Sequence, residues 1–224
     1  MAELKLVSSH DEVGNVRTFI FETGGATWLA GQYQTYVLRQ AGDNKDDNQR
    51  FFTIAAAPSE GEIHISTRVT ESKFKQALNA LHPGDTVEAH GIEGDFTWED
   101  VSDTPVVLVA GGIGVTPYRS MLLERHAQGK PLSATLVYFT RDDAIPFRAE
   151  FDSLVAQHPE LKIDYVIGEA ISADSILQHA PQTQSQVTYL SGPEAMVDSV
   201  GEDLQKRGVN LKQDWFPGYD ATSY

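Results

Sequence analysis

Two short stretches hold residues whose types and spacing could do chemistry. The first is "PVVLVAGGIGVTP", Pro105 to Pro117, where an aliphatic run ends in a glycine cluster and Thr-Pro follows. Gly111, Gly112 and Gly114 have no Cβ, so backbone N–H groups there can come close to a pyrophosphate. The spacing is not G-x-G-x-x-G, because Pro117 occupies the third position. Thr116 is placed to cap a following helix, and Pro117 fits its first turn. A tight strand-to-helix turn without a ligand would use the same residue types. The second stretch is "RFFT", Arg50 to Thr53. An arginine can hold a phosphate, an aromatic can cover a flat ring, and a hydroxyl can bond a ring heteroatom. Alternation puts Arg50 and Phe52 on one face and Thr53 on the other, unless the strand twists or ends there. Taken alone, the stretch reads more simply as a barrel strand with a core Phe and a surface Arg.

These residues need elements to position them. The first hundred residues read as short, partly alternating strands: "LKLVSSH", "NVRTFIFET", "YQTYVLRQ", "RFFTIAAA", "EIHISTRV" and "TVEAHG". They are rich in Val, Ile, Thr and aromatics, and Gly/Asp/Asn clusters separate them. One helix interrupts near Ser72 to Leu81, where Phe74, Ala77, Leu78 and Leu81 have helical spacing. Six strands with one helix suggest a small antiparallel barrel. "GDNKDDNQ", Gly42 to Gln49, reads as a solvated hairpin loop. From Thr104 onward, near-continuous apolar strands alternate with helices, the pattern of a five-stranded parallel sheet covered on both faces. The expected architecture is therefore two domains: 1–102 a six-stranded antiparallel barrel, and 103–224 a parallel α/β domain. A barrel followed by such a domain leaves a crevice between them. The glycine loop lies at the carboxyl end of the first α/β strand, where open parallel sheets bind ligands.

Composition narrows the classes. The 224 residues carry 32 acids against 17 bases, a formal charge of −15. That argues against nucleic acid and against anionic lipid, since both are held by Lys and Arg. There are no cysteines, which excludes disulfides and thiolate-bound zinc or iron–sulfur clusters in these residues. The seven histidines show no metal spacing, so no metal is expected. No stretch resembles a signal core or approaches the roughly 20 apolar residues needed to span a bilayer. A cytoplasmic location without membrane insertion is the default expectation.

Taken in order, the pieces resemble the ferredoxin–NADP reductase superfamily over essentially the whole chain. "GQY" at Gly31 resembles the family's Gly-Gln element, and "RFFT" its flavin motif Arg-x-Tyr/Phe-Ser/Thr. "TRVTESKFKQAL", Thr67 to Leu78, stands at the flavin-phosphate segment. "GDTVEAHGIEGDF" resembles its barrel-closing turn, with Ile92 where proline is usual. "GGIGVTP" matches its nicotinamide-nucleotide loop, "YLSGPEAMV" its Cys-Gly-Pro-x-x-Met element, and "DWFPGY" its aromatic C-terminal segment. Ser191 stands where the family often has cysteine.

The resemblance implies FAD on the barrel and NAD(P)H on the α/β domain, with hydride passing directly from nicotinamide to flavin. Arg50 would neutralise a flavin phosphate, with Phe51, Phe52, Thr67, Val69, Ser72 and Lys73 completing the flavin site. Thr53 would bond near the reacting flavin nitrogen. Gly111, Gly112, Gly114, Thr116 and Arg141 would take the nucleotide, together with Ser191, Gly192, Pro193 and Met196. Arg141 could meet a 2′-phosphate that Asp142 and Asp143 would repel, which leans slightly to NADH. Phe216, or else Tyr219 or Tyr224, would shield the flavin face and yield to nicotinamide, so Thr53, Ser191 and Phe216 are the expected catalytic set. With no iron–sulfur domain, electrons would pass to a separate acceptor such as a ferredoxin or another redox protein. A flavin or ferric reductase with a diffusible acceptor, and a non-catalytic flavin-binding subunit, are the alternatives.

Overall fold

The computed structural model describes residues 2–98 and 104–216. The first half is a six-stranded antiparallel sheet, curled on itself, in the order β4-β3-β6-β1-β2-β5. Its strands are β1 (Ala2–Asp11), β2 (Val16–Phe21), β3 (Tyr33–Val37), β4 (Gln49–Thr53), β5 (Ile63–Arg68) and β6 (Thr86–Glu93). Leu4, Leu6, Phe19, Phe21, Tyr36, Ile63 and Ile65 fill its interior with essentially no exposure. Burial of this kind stabilises by roughly 1.5–3 kcal/mol per large apolar side chain. Helix α2 (Lys73–Asn79) closes one end, with Phe74 and Leu78 in the same core.

The Gly42 to Gln49 segment differs from the expected solvated loop. It contains a helical turn, α1 (Lys45–Asn48), started by Asn44, whose side chain accepts from the Asp47 N–H. Asp47 in turn binds Lys73 Nζ at 2.8 Å, tying the segment to α2. A run of charges and amides reads as solvated, but Asn at an N-cap is also a helix-start signal.

The second half is a five-stranded parallel sheet in the order β11-β10-β7-β8-β9. The strands are β7 (Val106–Gly111), β8 (Ala134–Thr140), β9 (Lys162–Ile167), β10 (Val187–Pro193) and β11 (Leu211–Phe216). The helices are α3 (Thr116–Ala127), α4 (Arg148–Gln157), α5 (Ala173–His179) and α6 (Glu194–Lys206). Every residue of β7 is buried, because alternate residues serve two cores. Val106, Leu108 and Ala110 face one core with Tyr118, Leu122, Phe151 and Leu154 from α3 and α4. Val107 and Val109 face the other with Ile176, Val197 and Leu204 from α5 and α6. The unbroken apolar run is thus the consequence of helices on both faces. The expected boundary at 102/103 falls among residues 99–103, outside the described ones.

Candidate active site

Strands β7 and β10 are neighbours at the centre of the parallel sheet, and the chain leaves them toward opposite edges. This is a topological switch point, where the carboxyl ends of strands part and leave a crevice. The glycine loop lies there as a short 3-10 turn, Gly112–Val115, leading into α3. Gly112 has φ +55, a left-handed conformation that side chains with a Cβ resist. The other glycines answer to packing. A Cβ on Gly114 would lie 2.5 Å from the Ser191 carbonyl, and one on Gly111 would lie 2.7 Å from Met196 Sδ. The loop is therefore seated tightly against β10 and its Ser-Gly-Pro turn. Thr116 does not cap α3 as expected. It is the first helical residue, Val115 holds the cap position, and the Thr116 hydroxyl donates back to the Ile113 carbonyl at 3.1 Å.

The barrel brings its own residues to this crevice. A cavity at the seam is lined by Phe51, Phe52, Thr53 and Ser66 on one side, and by Gly111, Gly114, Thr116, Gly192 and Pro193 on the other. Thr53 ends β4, so it is freed from strict alternation. Phe52 also packs into the barrel core, 5.8 Å from the Phe74 ring and 6.0 Å from Tyr36, while Phe51 stands edge-on to Tyr33. Phe52 thus serves the barrel core and the cavity wall together. The hydroxyls of Thr53 and Ser72 are buried without a hydrogen-bond partner, whereas that of Ser191 meets the Asp214 carboxyl. Buried polar groups are rarely left so. Two orphaned hydroxyls at two positions singled out from sequence are what a missing polar ligand would leave.

The barrel also carries a cationic cluster. Lys75 on α2 is almost wholly buried. Burial pushes its ammonium down to about 8, and the charges of Arg50 and Arg68 push in the same direction. Three cations held together beside the orphaned Ser72 hydroxyl suit a pyrophosphate. Arg50 is half-buried on β4 and donates to the Gln49 carbonyl at 2.7 Å. Neither Lys75 nor Arg68 was singled out by sequence reasoning, although both lie in the segment that was. Lys75 is one helical step from Lys73, which spends its charge on Asp47. The Val69 N–H is taken by the Asn15 carbonyl at 2.8 Å. Thr67 is buried on the face of β5 opposite Ser66 and Arg68.

Beyond the glycine loop runs a groove of about 610 Å³ along the carboxyl ends of β7, β8 and β9. Gly112, Thr140, Arg141, Glu169, Pro193 and Met196 line it, and Arg68 reaches it from the barrel. The two aspartates after Arg141 do not line it. Asp142 accepts from the Ala144 N–H at 3.0 Å, and Asp143 faces a different cavity. The acidic group in the groove is Glu169, held by Ser175 and His179 and lowered in pKa by those bonds.

Sequence reasoning also missed Asp214. It pairs in register with Ser191 across β10 and β11 and is 9% exposed. Burial pushes its carboxyl up to about 7, and the charge of Asp95 adds to the shift. The signal was a lone acid inside the aromatic-rich run "QDWF". Phe216 ends β11 opposite Pro193, which brings its backbone to the rim of the seam. Trp215 beside it is 43% exposed, so it does not seal the α/β core. Tyr219 and Tyr224 lie outside the described residues. Among the described residues no group of His, Asp or Glu is arranged to hold a metal, and no helix is long and apolar enough to cross a membrane.

Such a fold, with a switch-point crevice facing a hydroxyl-lined barrel wall, has the form of a two-part nucleotide-binding module. Comparison with known proteins agrees. The family described as "Oxidoreductase NAD-binding domain" matches residues 108–202. A flavohemoprotein of Burkholderia sp. is 30% identical over 195 residues, covering 80% of this chain and 48% of that protein. Ferredoxin–NADP reductase B of Sorangium cellulosum is 29% identical over 205 residues, covering 86% of this chain and 82% of its own. The cytochrome P450 reductase of Amycolatopsis superposes with a TM-score of 0.80 at 21% identity, over 95% of this chain and 69% of that one. The FAD/NAD-binding domain of Vibrio cholerae nitric oxide dioxygenase superposes with a TM-score of 0.76 at 21% identity, over 96% and 98%. Residues 108–202 thus match an oxidoreductase NAD-binding domain, and over most of its length the chain is similar to ferredoxin–NADP reductase and to the reductase part of flavohemoproteins. The chain spans about half the length of the flavohemoproteins it matches.

Proposed function

We propose that this chain oxidises NAD(P)H, accepts the hydride on FAD at the seam, and passes the electrons to a separate acceptor such as a ferredoxin or other redox protein. The observation that carries the reading is the cavity itself. Thr53 from the barrel and the Gly111–Thr116 and Gly192–Pro193 turns of the α/β half line one space. FAD supplies a carrier that takes an electron pair and can release it singly.

The chain's own residues bind and orient. Arg50, Ser72 and Lys75 hold the flavin phosphates, Phe51 and Phe52 wall the ring site, and the Thr53 hydroxyl bonds the ring edge. Lys73, Thr67 and Val69 shape the phosphate segment around them. The glycine loop, Thr116 and Arg141 take the nucleotide. Ser191, Gly192, Pro193 and Met196 seat the nicotinamide end. Phe216 is the first choice for the aromatic that covers the flavin face and yields to nicotinamide, with Tyr219 second. Direct hydride transfer needs no protein acid or base, so positioning carries most of the catalysis. We place the division between flavin and nucleotide units at 102/103. Glu169 in the groove favours NADH, because a 2′-phosphate there would meet a carboxylate.

Anaerobic mixing of the purified protein with NADH and with NADPH, followed at the flavin absorbance band, tests the reading. Bleaching within the mixing time, faster with NADH, is expected. A yellow protein that neither nucleotide bleaches would turn the assignment toward a non-catalytic flavin-binding subunit.

A further inference from the structure

One rung of the barrel sheet joins the seam cavity to the protein surface through three hydrogen bonds. Ser66 lines the cavity beside Phe51, Phe52 and Thr53. Its register partner on β2 is Thr18, and the partner of Thr18 on β1 is His10. Ser66 Oγ is 2.8 Å from Thr18 Oγ1. Thr18 Oγ1 donates to Glu12 Oε1 at 2.7 Å, and the same oxygen is 2.9 Å from His10 Nε2. Both hydroxyls are buried, the Glu12 side chain is mostly covered, and the His10 side chain is 53% exposed.

The direction of the chain follows from counting protons. A threonine hydroxyl has one proton, and Thr18 gives it to Glu12. The bond between Ser66 and Thr18 must then be donated by Ser66. Both hydroxyls point their protons away from the cavity, toward a carboxylate. The Ser66 oxygen keeps lone-pair capacity to accept a proton from the cavity side. Thr18, Glu12 and His10 also line a second, outer cavity, with His64, Arg119 and Glu150 among its other walls. The rung therefore bridges two cavities.

We propose that Ser66, Thr18, Glu12 and His10 form a proton exit from the flavin cavity. This rests on the hydride reading above. NAD(P)H gives up two electrons and one proton as hydride, so NAD(P)H becomes NAD(P)⁺ + 2e⁻ + H⁺ once a one-electron acceptor has removed both electrons. One proton per nucleotide oxidised is left in the cavity. It enters at Ser66 Oγ as the Ser66 proton moves to Thr18 and the Thr18 proton to Glu12. From the Glu12 carboxylate it passes to His10 and to water.

The test separates this path from the hydride step. Holoprotein is reduced anaerobically with NADH, then mixed with ferricyanide in weak buffer containing a pH-indicator dye. Thr18→Val keeps the shape and removes the hydroxyl, Glu12→Gln removes the base, and Thr18→Ser restores the hydroxyl. Reduction by NADH should be unchanged in all three. Proton release should slow about tenfold or more in Thr18→Val and Glu12→Gln, the scale of losing a positioned proton carrier, and recover in Thr18→Ser. In flavin-free protein, NMR should find slowly exchanging hydroxyl protons that Thr18→Val removes. Parent-like proton release in Thr18→Val and Glu12→Gln, with NADH reduction intact, overturns the path. Failure of parent protein to be reduced by either nucleotide overturns the hydride reading, and the path with it. If Thr18→Val does not fold, Glu12→Gln at the outer end decides.

Discussion

Two buried ionisable groups give the residue scale its clearest consequences. Asp214 has a folded pKa of about 7, above its ordinary value. Between those values the folded state binds more protons than the unfolded one, so stability falls as pH rises toward 7. Asp214→Asn should abolish that slope and raise the Tm at pH 8 by about 2–4 °C for each kcal/mol recovered. Melting curves from pH 4 to 8, an interval set by the two pKa values, check this, and an unchanged slope would remove Asp214 from the account. Lys75 titrates in the other sense. At its pKa of about 8 it loses the charge that a flavin phosphate would use. FAD affinity of the apoprotein should therefore weaken above pH 8, by at most about tenfold per pH unit for one proton. Lys75→Met should bind FAD more weakly at neutral pH and lose this dependence. Arg50→Ala should lose flavin as well, because a phosphate without its charge-assisted partner costs roughly 1.5–3 kcal/mol.

At the scale of elements, the join between the β7–α3 turn and β10 is where our proposal seats the nicotinamide end. Gly114 packs where a Cβ would lie 2.6 Å from Gly192 Cα and 2.7 Å from its nitrogen. These are backbone atoms that cannot swing aside. Gly114→Ala should destabilise by about 1–3 kcal/mol through overpacking. It should also raise the KM for NAD(P)H while leaving flavin content unchanged, since the barrel is not involved. Loss of flavin with unaltered nucleotide affinity would mean that the two sites have been exchanged in our assignment.

At the scale of the whole molecule, one arginine fastens the two halves. Arg119 on α3 is buried and donates to the Ala55 carbonyl at 2.9 Å and to both oxygens of Glu60 at 2.9 and 3.0 Å. It also binds Glu150 at 2.7 and 2.8 Å, and its guanidinium lies 5.3 Å from the Phe147 ring centre. Ser120 adds a bond to the Ala56 carbonyl at 2.6 Å. Our proposal puts the flavin and nucleotide sites on opposite halves, so this clamp would set their separation. Removing one partner from a buried charge cluster costs about 3–5 kcal/mol. Arg119→Met should lower the Tm and slow flavin reduction together, whereas Glu60→Gln should do so more mildly. Burial would raise the Glu60 pKa, but the Arg119 bond and charge hold it below the usual carboxylate range. Its contribution is present above that range and is lost as pH falls through the lowered pKa. Acid should therefore loosen the seam before the cores melt, which differential hydrogen exchange at Ala55–Glu60 would reveal.

The sequence by itself determined the two kinds of layer, because hydrophobic period is a local property. Strands with turn residues between them read as a barrel, and the unbroken run Val106–Ala110 read as a strand covered on both faces. It also singled out the stretches Arg50–Thr53 and Gly111–Thr116, because glycine clusters and Arg-aromatic-hydroxyl runs are visible without a fold. Only the tertiary structure decided what those residues meet. Gly111 and Gly114 looked like openings for a ligand, and their missing Cβ atoms also make room for Met196 on α6 and Ser191 on β10, some eighty positions away. Thr116 looked like a cap, and its hydroxyl instead bonds back to Ile113. Lys75 and Asp214 looked like ordinary charges, because desolvation depends on neighbours that arrive only when the sheets close. The Ser66–Thr18–His10 rung and the Arg119 clamp join residues far apart in the chain. No spacing rule reaches across strand register, and register is settled when one whole face of a sheet is buried at once.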